Sequence, residues 1–247
     1  MKILISPAKK MREEPDLPPQ SAPVFLTQAK RLARYLAGLG YERLKKLLAC
    51  NDEIARLNYR RYQRMDLERR TSPALLSYDG IQYQYMAPGV FTYDQLEYVQ
   101  QNLRIVSGLY GLLQPFDGVV PHRLEMQARL QTDFCRNLYD FWGDSLARQL
   151  ISDGENTVVD LASAEYSRAI LPHLPPHVRC VSPVFAQLEG RKLAEKGVYV
   201  KMARGEMVRF LAETNAKTPE QMQGFHALGY QYRQELSQPD KPAFVKG

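Results

Sequence analysis

The first cluster of apolar positions is short and continuous: Ile3, Leu4 and Ile5 run together behind Lys2. Such a run, closed by Ser6-Pro7, predicts a buried strand over 2–6, because the residue before a proline is driven out of helical space. Pro15, Pro18, Pro19 and Pro23 then make 12–23 a loop. From 24 to 70 the apolar period becomes three and four. Leu26, Ala29, Ala33, Leu36 and Ala37 share one helical face, with Lys30, Arg31 and Arg34 off it. Gly38 and Gly40 stop that helix, and Leu44, Leu47 and Leu48 begin a second. Asn51 or Asp52 caps a third, in which Ile54, Leu57, Tyr62 and Met65 form the apolar stripe. Arg56, Arg60 and Arg64 stand four apart there and form a column.

Beyond Pro73 the texture changes. Residues 75–86 alternate and are rich in aromatics, which predicts a hairpin turning at Asp79-Gly80. A helix capped by Thr92 follows over 92–103, and a strand over 104–113 dissolves into a glycine turn. Residues 133–151, with the single tryptophan, Trp142, read as one amphipathic helix. Residues 157–163 read as a strand, 166–174 as a short helix, 180–205 as two or three strands and 206–214 as a helix. From Ser237 the tail is polar and contains proline. The order predicts an α+β fold: a single mixed sheet flanked by helices, with an N-terminal helix-hairpin-helix-like basic segment. No composition break divides the chain, so 1–247 is expected to be one domain, with 24–70 as a basic helical subregion.

Charge sharpens this picture. The net charge is +6, but residues 24–70 alone hold twelve Lys/Arg against five Asp/Glu, a net of +7. A basic excess confined to one segment suits a polyanionic partner, and also suits a solvated helical face. No apolar run approaches the ~18 residues of a membrane span. The apolar run near the N-terminus is too short for a secretory signal. Cys50, Cys135 and Cys180 are odd in number and far apart, which fits neither a disulfide framework nor a zinc motif. A cytoplasmic, monomeric chain without cofactor is expected. His122, His173, His177 and His226 lack zinc spacing, and Pro172, Pro175 and Pro176 break the helix that would align His173 with His177.

The corner between the first two helices carries candidate chemistry. Leu36, Gly38, Leu39, Gly40 and Leu44 follow the Leu-x-Gly-hydrophobic-Gly loop of helix-hairpin-helix modules, with Ala37 where those usually have proline. Two glycines let a phosphate approach, and the amides of the turn and of the next helix's first turn have no internal partner. The same residues also suit a plain turn between two core helices. Arg43, Lys45 and Lys46 follow at once.

Five further stretches are "ISPAKK" (5–10), "LRIVSGLYGLLQPFDGVVPHRLEM" (103–126), "LYDFWGD" (138–144), "DLASAEY" (160–166) and "KMARGEMVRF" (201–210). Together they resemble the YaaA peroxide-stress protein family of bacteria, over nearly the whole chain. The resemblance implies a cytosolic protein that supports resistance to hydrogen peroxide, through lower free iron and less oxidative DNA damage. It also implies an unusual α+β fold with a basic cleft and a helix-hairpin-helix element, able to bind double-stranded DNA. Gln114 stands where the family usually has arginine and Met202 where it more often has lysine, so two positive charges are missing.

Two sets of residues follow. For DNA the expected contacts are Gly38, Leu39 and Gly40 through their amides, then Arg43, Lys45, Lys46, Arg56 and Arg60, with Arg123, Arg204 and Arg209 in a cleft. The cleft is further lined by Ser6, Ser163 and Tyr166, which follow expected strands, and by Asp144, which closes "FWGD". For catalysis on nucleic acid or a nucleotide-like molecule, Glu125 or Glu165 would move protons and Lys9 and Lys201 would stabilise charge. Arg123–Glu125 and Lys201–Asp144 could equally be structural ion pairs, and Ser163 a helix cap. A basic surface that docks an acidic protein is the third reading.

Overall fold

The computed structural model describes residues 1–14, 17–69, 71–190 and 192–246. Pro15 of the expected loop, Arg70 of the basic segment, Arg191 of the 180–205 strand region and Gly247 of the tail lie outside them. The first strand, β1 (Lys2–Ile5), is buried at all four residues and sits at the centre of a five-stranded sheet. Parallel neighbours flank it: β2 (Leu103–Ser107) on one side and β4 (Thr157–Leu161) on the other, with Ile3 opposite both Leu103 and Val159. Outside them lie β3 (Gly111–Leu113), antiparallel to β2, and β5 (Arg179–Val181), parallel to β4. The spatial order is therefore β3-β2-β1-β4-β5. The chain builds outward from β1 in one direction and then in the other, so the carboxyl ends of β1 and β4 border a topological switch point, where open sheets leave a crevice.

The expected single sheet is joined by others. β6 (Val184–Glu189), β7 (Lys192–Ala194), β8 (Tyr230–Tyr232) and β9 (Ala243–Lys246) form a four-stranded sheet in the order β7-β6-β9-β8. The polar tail therefore supplies an inner strand: Ala243, Phe244 and Val245 are buried, and Phe244 stacks on Phe185 at 5.4 Å. Two short ladders pair Lys10–Met11 with Tyr78–Asp79 and Ser72–Pro73 with Gly118–Val119.

The basic segment folds as three helices, α1 (Leu26–Ala37), α2 (Tyr41–Leu48) and α3 (Asp52–Gln63). Asn51 caps α3 by accepting the Ile54 amide at 3.0 Å. The apolar stripe of α3 differs from the expected one: Leu57 is exposed, and Ala55, Asn58 and Tyr62 face inward, with Asn58 Nδ2 donating to the Ile54 carbonyl. α3 packs against both α1 and α2.

Three other readings give way. The 75–86 hairpin is a helical turn (Ala74–Ser77) and then α4 (Ile81–Met86), because Gln82, Tyr83 and Met86 bury at helical spacing. The 133–151 helix is two short ones, Leu138–Trp142 and Ser145–Leu150, broken where Gly143 takes φ +50°. After α5 (Tyr93–Asn102), capped by Thr92 as expected, the other long helix is α6 (Gly197–Glu213). It absorbs Val198, Val200 and the whole 201–205 run that read as strand, because its face packs on α4. The crossing is close enough that a Cβ on Gly205 would overlap the Gln82 carbonyl oxygen and lie 2.9 Å from the Met86 amide. Among the described residues no helix is long and apolar enough to cross a membrane.

The Gly205→Ala variant is expected to lose about 2 kcal/mol of stability, the usual penalty for forcing a methyl into a filled contact. Gly40→Ala is the control: its Cβ meets nothing within 4 Å, and the backbone φ of −65° suits any residue. Its expected change is under about 0.5 kcal/mol. Urea titrations of both variants decide; equal midpoints would show that the α4–α6 crossing is not tight.

Candidate functional site

Ser6 and Ser163 follow the carboxyl ends of β1 and β4 and are joined to each other. The Ser163 amide donates to Ser6 Oγ at 2.8 Å, and Ser6 Oγ donates to Ser163 Oγ at 3.3 Å. Ser163 precedes the helical turn Ala164–Ser167, yet its hydroxyl makes no capping bond; it is spent on Ser6. Tyr83 Oη holds the Ser6 carbonyl at 2.9 Å. These bonds seal the floor of the switch point.

Residues 122–131 run across that floor, and two contacts fix them there. A Cβ on Gly108, just past β2, would overlap the Leu124 carbonyl oxygen and lie 3.3 Å from the Glu125 carbonyl carbon, so only glycine admits the segment. From the other side the buried Tyr62 of α3 donates to the Arg123 carbonyl at 3.0 Å. The chain so placed brings four predicted residues together. Arg123 Nη2 and Lys9 Nζ both reach Glu125 Oε1, at 2.7 and 3.2 Å. Arg123 and Glu125 are nearly buried, with side chains 11% and 15% exposed, whereas Lys9 is 66% exposed. Glu165 accepts the Gln127 amide at 3.2 Å. Burial pushes its carboxyl above the ordinary range against the pull of that amide, and the nearby Glu125 carboxylate adds to the rise. Tyr166 is buried beside both, and burial pushes its phenol up.

Three residues absent from the sequence-based set complete this end. Tyr78, Ser107 and His122 line, with Arg123, Glu125 and Tyr166, a small cavity of about 10 Å³. Among the described residues, two buried polar atoms of this cavity's lining have no hydrogen-bond partner, Tyr78 Oη and Arg123 Nε. His122 is wedged between Tyr78 and Tyr110, with ring centroids 6.4 and 5.2 Å away. Its Nδ1 donates to the Val120 carbonyl at 2.9 Å, and burial lowers its pKa to about 4, so the ring is neutral.

Glu125 also lines a groove of about 920 Å³ that opens outward between α2 and residues 125–131. One wall is a face of α2 and its approach: Leu39, Arg43, Lys46 and Leu47. The other presents Gln127, Ala128, Arg129 and Leu130, and Tyr35 of α1 stands between. The Tyr35 hydroxyl donates to the Gln131 carbonyl at 3.0 Å, and Arg31 lies 3.9 Å over the Phe134 ring, so α1 holds the outer wall in place. Among the described residues Arg43, Lys46 and Arg129 enter no ion pair with a carboxylate.

The other predicted residues are placed differently. The corner does not offer all the amides expected of it: the Gly38 amide donates to the Arg34 carbonyl at 3.1 Å and the Leu39 amide to Leu36 at 3.2 Å, closing the end of α1. Leu39 itself is buried. The Gly40 amide and those of the first turn of α2 stand before the helix's own acceptors begin. Lys45 is tied to Asp52 at 2.7 Å, a carboxylate that also accepts from the Tyr41 hydroxyl. Arg56 lies over the Tyr41 ring at 5.5 Å, and Arg56 and Arg60 are exposed on α3 without lining the groove. Lys201 is exposed on α6, not at a strand end, and shares no hydrogen bond or ion pair with the Glu125 cluster among the described residues. Arg204 is turned inward, where burial lowers its pKa and Asp160 of β4 is the nearby counter-charge. Arg209 pairs with Glu213 at 2.7 Å and Asp144 with Arg148 at 2.9 Å, each along its own helix. The proposed Lys201–Asp144 pair is therefore not formed. Among the described residues no three His, Cys, Asp or Glu side chains are grouped to hold a metal ion.

Comparison with known proteins gives one consistent result. Residues 1–236 match the model of a family described as peroxide stress protein YaaA. A UPF0246 protein of Desulfitobacterium hafniense is 58% identical over 247 residues, covering all of this chain and 98% of its own. UPF0246 proteins of Agathobacter rectalis and Pediococcus pentosaceus are 45% and 44% identical over the whole chain, covering 99% and 98% of their own.

The neutral His122 predicts a pH dependence with a definite sign. Above pH 6.5 the ring is uncharged in both folded and unfolded chains; below it the unfolded chain takes the proton first, so stability falls as pH drops from 6.5 toward 4. The expected loss attributable to this group at pH 5 is about 2 kcal/mol. Urea unfolding at pH 7 and pH 5, on the native chain and on His122→Asn, measures it. The variant should lose that share of the pH dependence; an unchanged difference would show that His122 is not held neutral.

Proposed function

The chain belongs to the peroxide stress protein YaaA family, and from that premise we propose that it protects DNA under peroxide stress by holding the phosphate backbone in the groove beside α2, without reading base sequence. The observation that carries this reading is the convergence of Arg43, Lys46 and Arg129 on the groove. Among the described residues their charges are not spent on carboxylates, unlike those of Lys45, Arg123 and Lys9. The Gly40 amide and the first turn of α2 add donors and the positive end of a helix dipole at the same face. Exposed Arg56 and Arg60 extend the positive field beyond the groove, and the segment's net charge of +7 supports attraction from a distance. Contacts of this kind position a duplex but carry no sequence information. One copy of the chain contains the entire groove, so a monomer in the cytoplasm suffices.

Each phosphate neutralised releases counterions, so the logarithm of affinity falls with the logarithm of salt at about 0.9 per contact. Three groove contacts give a slope near −3. Replacing Arg43, Lys46 and Arg129 together by alanine should flatten the slope by about that amount, while Lys45→Ala should change it by less than about 1. Fluorescence anisotropy with a duplex oligonucleotide across a salt series measures both. A slope near zero for the native chain, or a triple variant that binds as the native chain does, contradicts the reading.

A further inference from the structure

The inner end of the groove carries more than binding requires. A phosphate clamp needs cations, whereas here Glu125 lines the groove and a second carboxylate, Glu165, stands near it, bonded to the Gln127 amide of the groove wall. Glu125 is bonded to two cations through one oxygen. Glu165 meets only backbone amides, chiefly that of Gln127, is half-buried, and is shifted by burial toward its protonated form. Two carboxyl groups with divergent environments are the usual basis for dividing acid and base roles between them. Beside them is the cavity of about 10 Å³, close to the space of one water centre. It is lined by Tyr78, 2% exposed, and Arg123, and among the described residues neither Tyr78 Oη nor Arg123 Nε has a hydrogen-bond partner. Buried polar atoms are almost always paired, so two orphans at one cavity point to a held water-sized molecule. The outer groove supplies the rest. Leu47 and Tyr35, both partly exposed, give it apolar surface between the cations, and about 920 Å³ is ample for one nucleotide.

We infer that this end of the groove is a hydrolytic site for the N-glycosidic bond of a nucleotide in DNA, with Glu165 as general acid and Glu125 as the base that activates a water held by Tyr78 and Arg123. The inference rests on the phosphate-binding reading of the groove. The nucleotide's phosphates lie on Arg43, Lys46 and Arg129, its base against Leu47 and Tyr35, and its sugar at Glu125. As the bond between C1′ and the base nitrogen breaks, the electron pair leaves with the base, which takes the Glu165 proton. The water oxygen bonds to C1′ and the water proton passes to Glu125. The products are the free base and a sugar with a hydroxyl at C1′, and proton exchange with solvent resets both carboxyls. A carboxylate suits this reaction because positive charge develops on the sugar in the transition state. The family's peroxide-stress role selects an oxidised purine as the base.

The test uses the full chain and a duplex oligonucleotide carrying one 8-oxoguanine, with binding and base release followed in the same samples. Release is read as an alkali-labile break at that position. The native chain should release the base. Glu165→Gln, which keeps an oxygen for the Gln127 amide, should bind at least as tightly and release at least about 10²-fold more slowly, the usual worth of a positioned acid. Binding without release by the native chain overturns the hydrolytic inference and leaves the groove reading standing; no binding overturns both. Release that Glu165→Gln and Glu125→Gln leave unchanged also overturns it. Strand breaks that appear without alkali and without free base assign the site to phosphodiester cleavage and overturn the glycosidic assignment.

Discussion

The closeness of Gly108 to the Leu124 carbonyl is the constraint on which the site depends. It lets residues 122–131 lie directly over the carboxyl ends of β1 and β2, with Tyr62 of α3 fixing the same segment from its other side. One stretch of backbone then does two jobs. Its first half delivers Arg123 and Glu125 to the switch point, and its second half becomes a wall of the groove with Arg129. A methyl at 108 would lift the segment and disturb both at once, so cluster and groove are mechanically a single feature.

The electrostatics separate these two halves. At the inner end the cations are matched: Arg123 and Lys9 converge on one oxygen of Glu125. A nearly buried pair of this kind adds little net stability, because desolvation offsets attraction, yet breaking it by removing one partner costs about 3–5 kcal/mol. It therefore specifies geometry more than it supplies charge. At the outer end Arg43, Lys46 and Arg129 are solvated, where their charge attracts a polyanion at no desolvation cost until it arrives. The same surface can thus attract broadly and position narrowly. Glu165 stands between the two regimes, near the charge of Glu125 and beneath Gln127 of the groove wall.

Much of this was legible in the residues. The three helices of the basic segment, the Asn51 and Thr92 caps and the strands over 2–5, 103–107 and 157–161 follow from period and cap chemistry alone. Lys9, Arg123, Glu125, Glu165 and Tyr166 were also readable as strand-end polar groups, and they do gather. The misreadings have local causes. Val198 and Val200 suggest strand, but packing on α4 through Gly205 overrides that propensity, which places Lys201 and Arg204 on α6, in one helix with Arg209, and not at a strand end. The alternation over 75–86 hid a helix that buries a polar and an aromatic residue, Gln82 and Tyr83, beside Met86. The Leu-x-Gly-x-Gly corner gave the right turn and overstated its donors, because pattern cannot show which carbonyls of α1 claim the amides of Gly38 and Leu39. Tyr78, Ser107 and His122 carried no sequence signal as a group, since only the fold brings them to one cavity.

Hydrogen exchange with and without a bound duplex oligonucleotide tests most directly whether the 122–131 segment and α2 form one working surface. The account predicts slowed amide exchange on both walls together, over 40–47 and over 125–131, with α6 unchanged. Protection confined to α3 or to 201–213, with 125–131 exchanging as in the free chain, would contradict it.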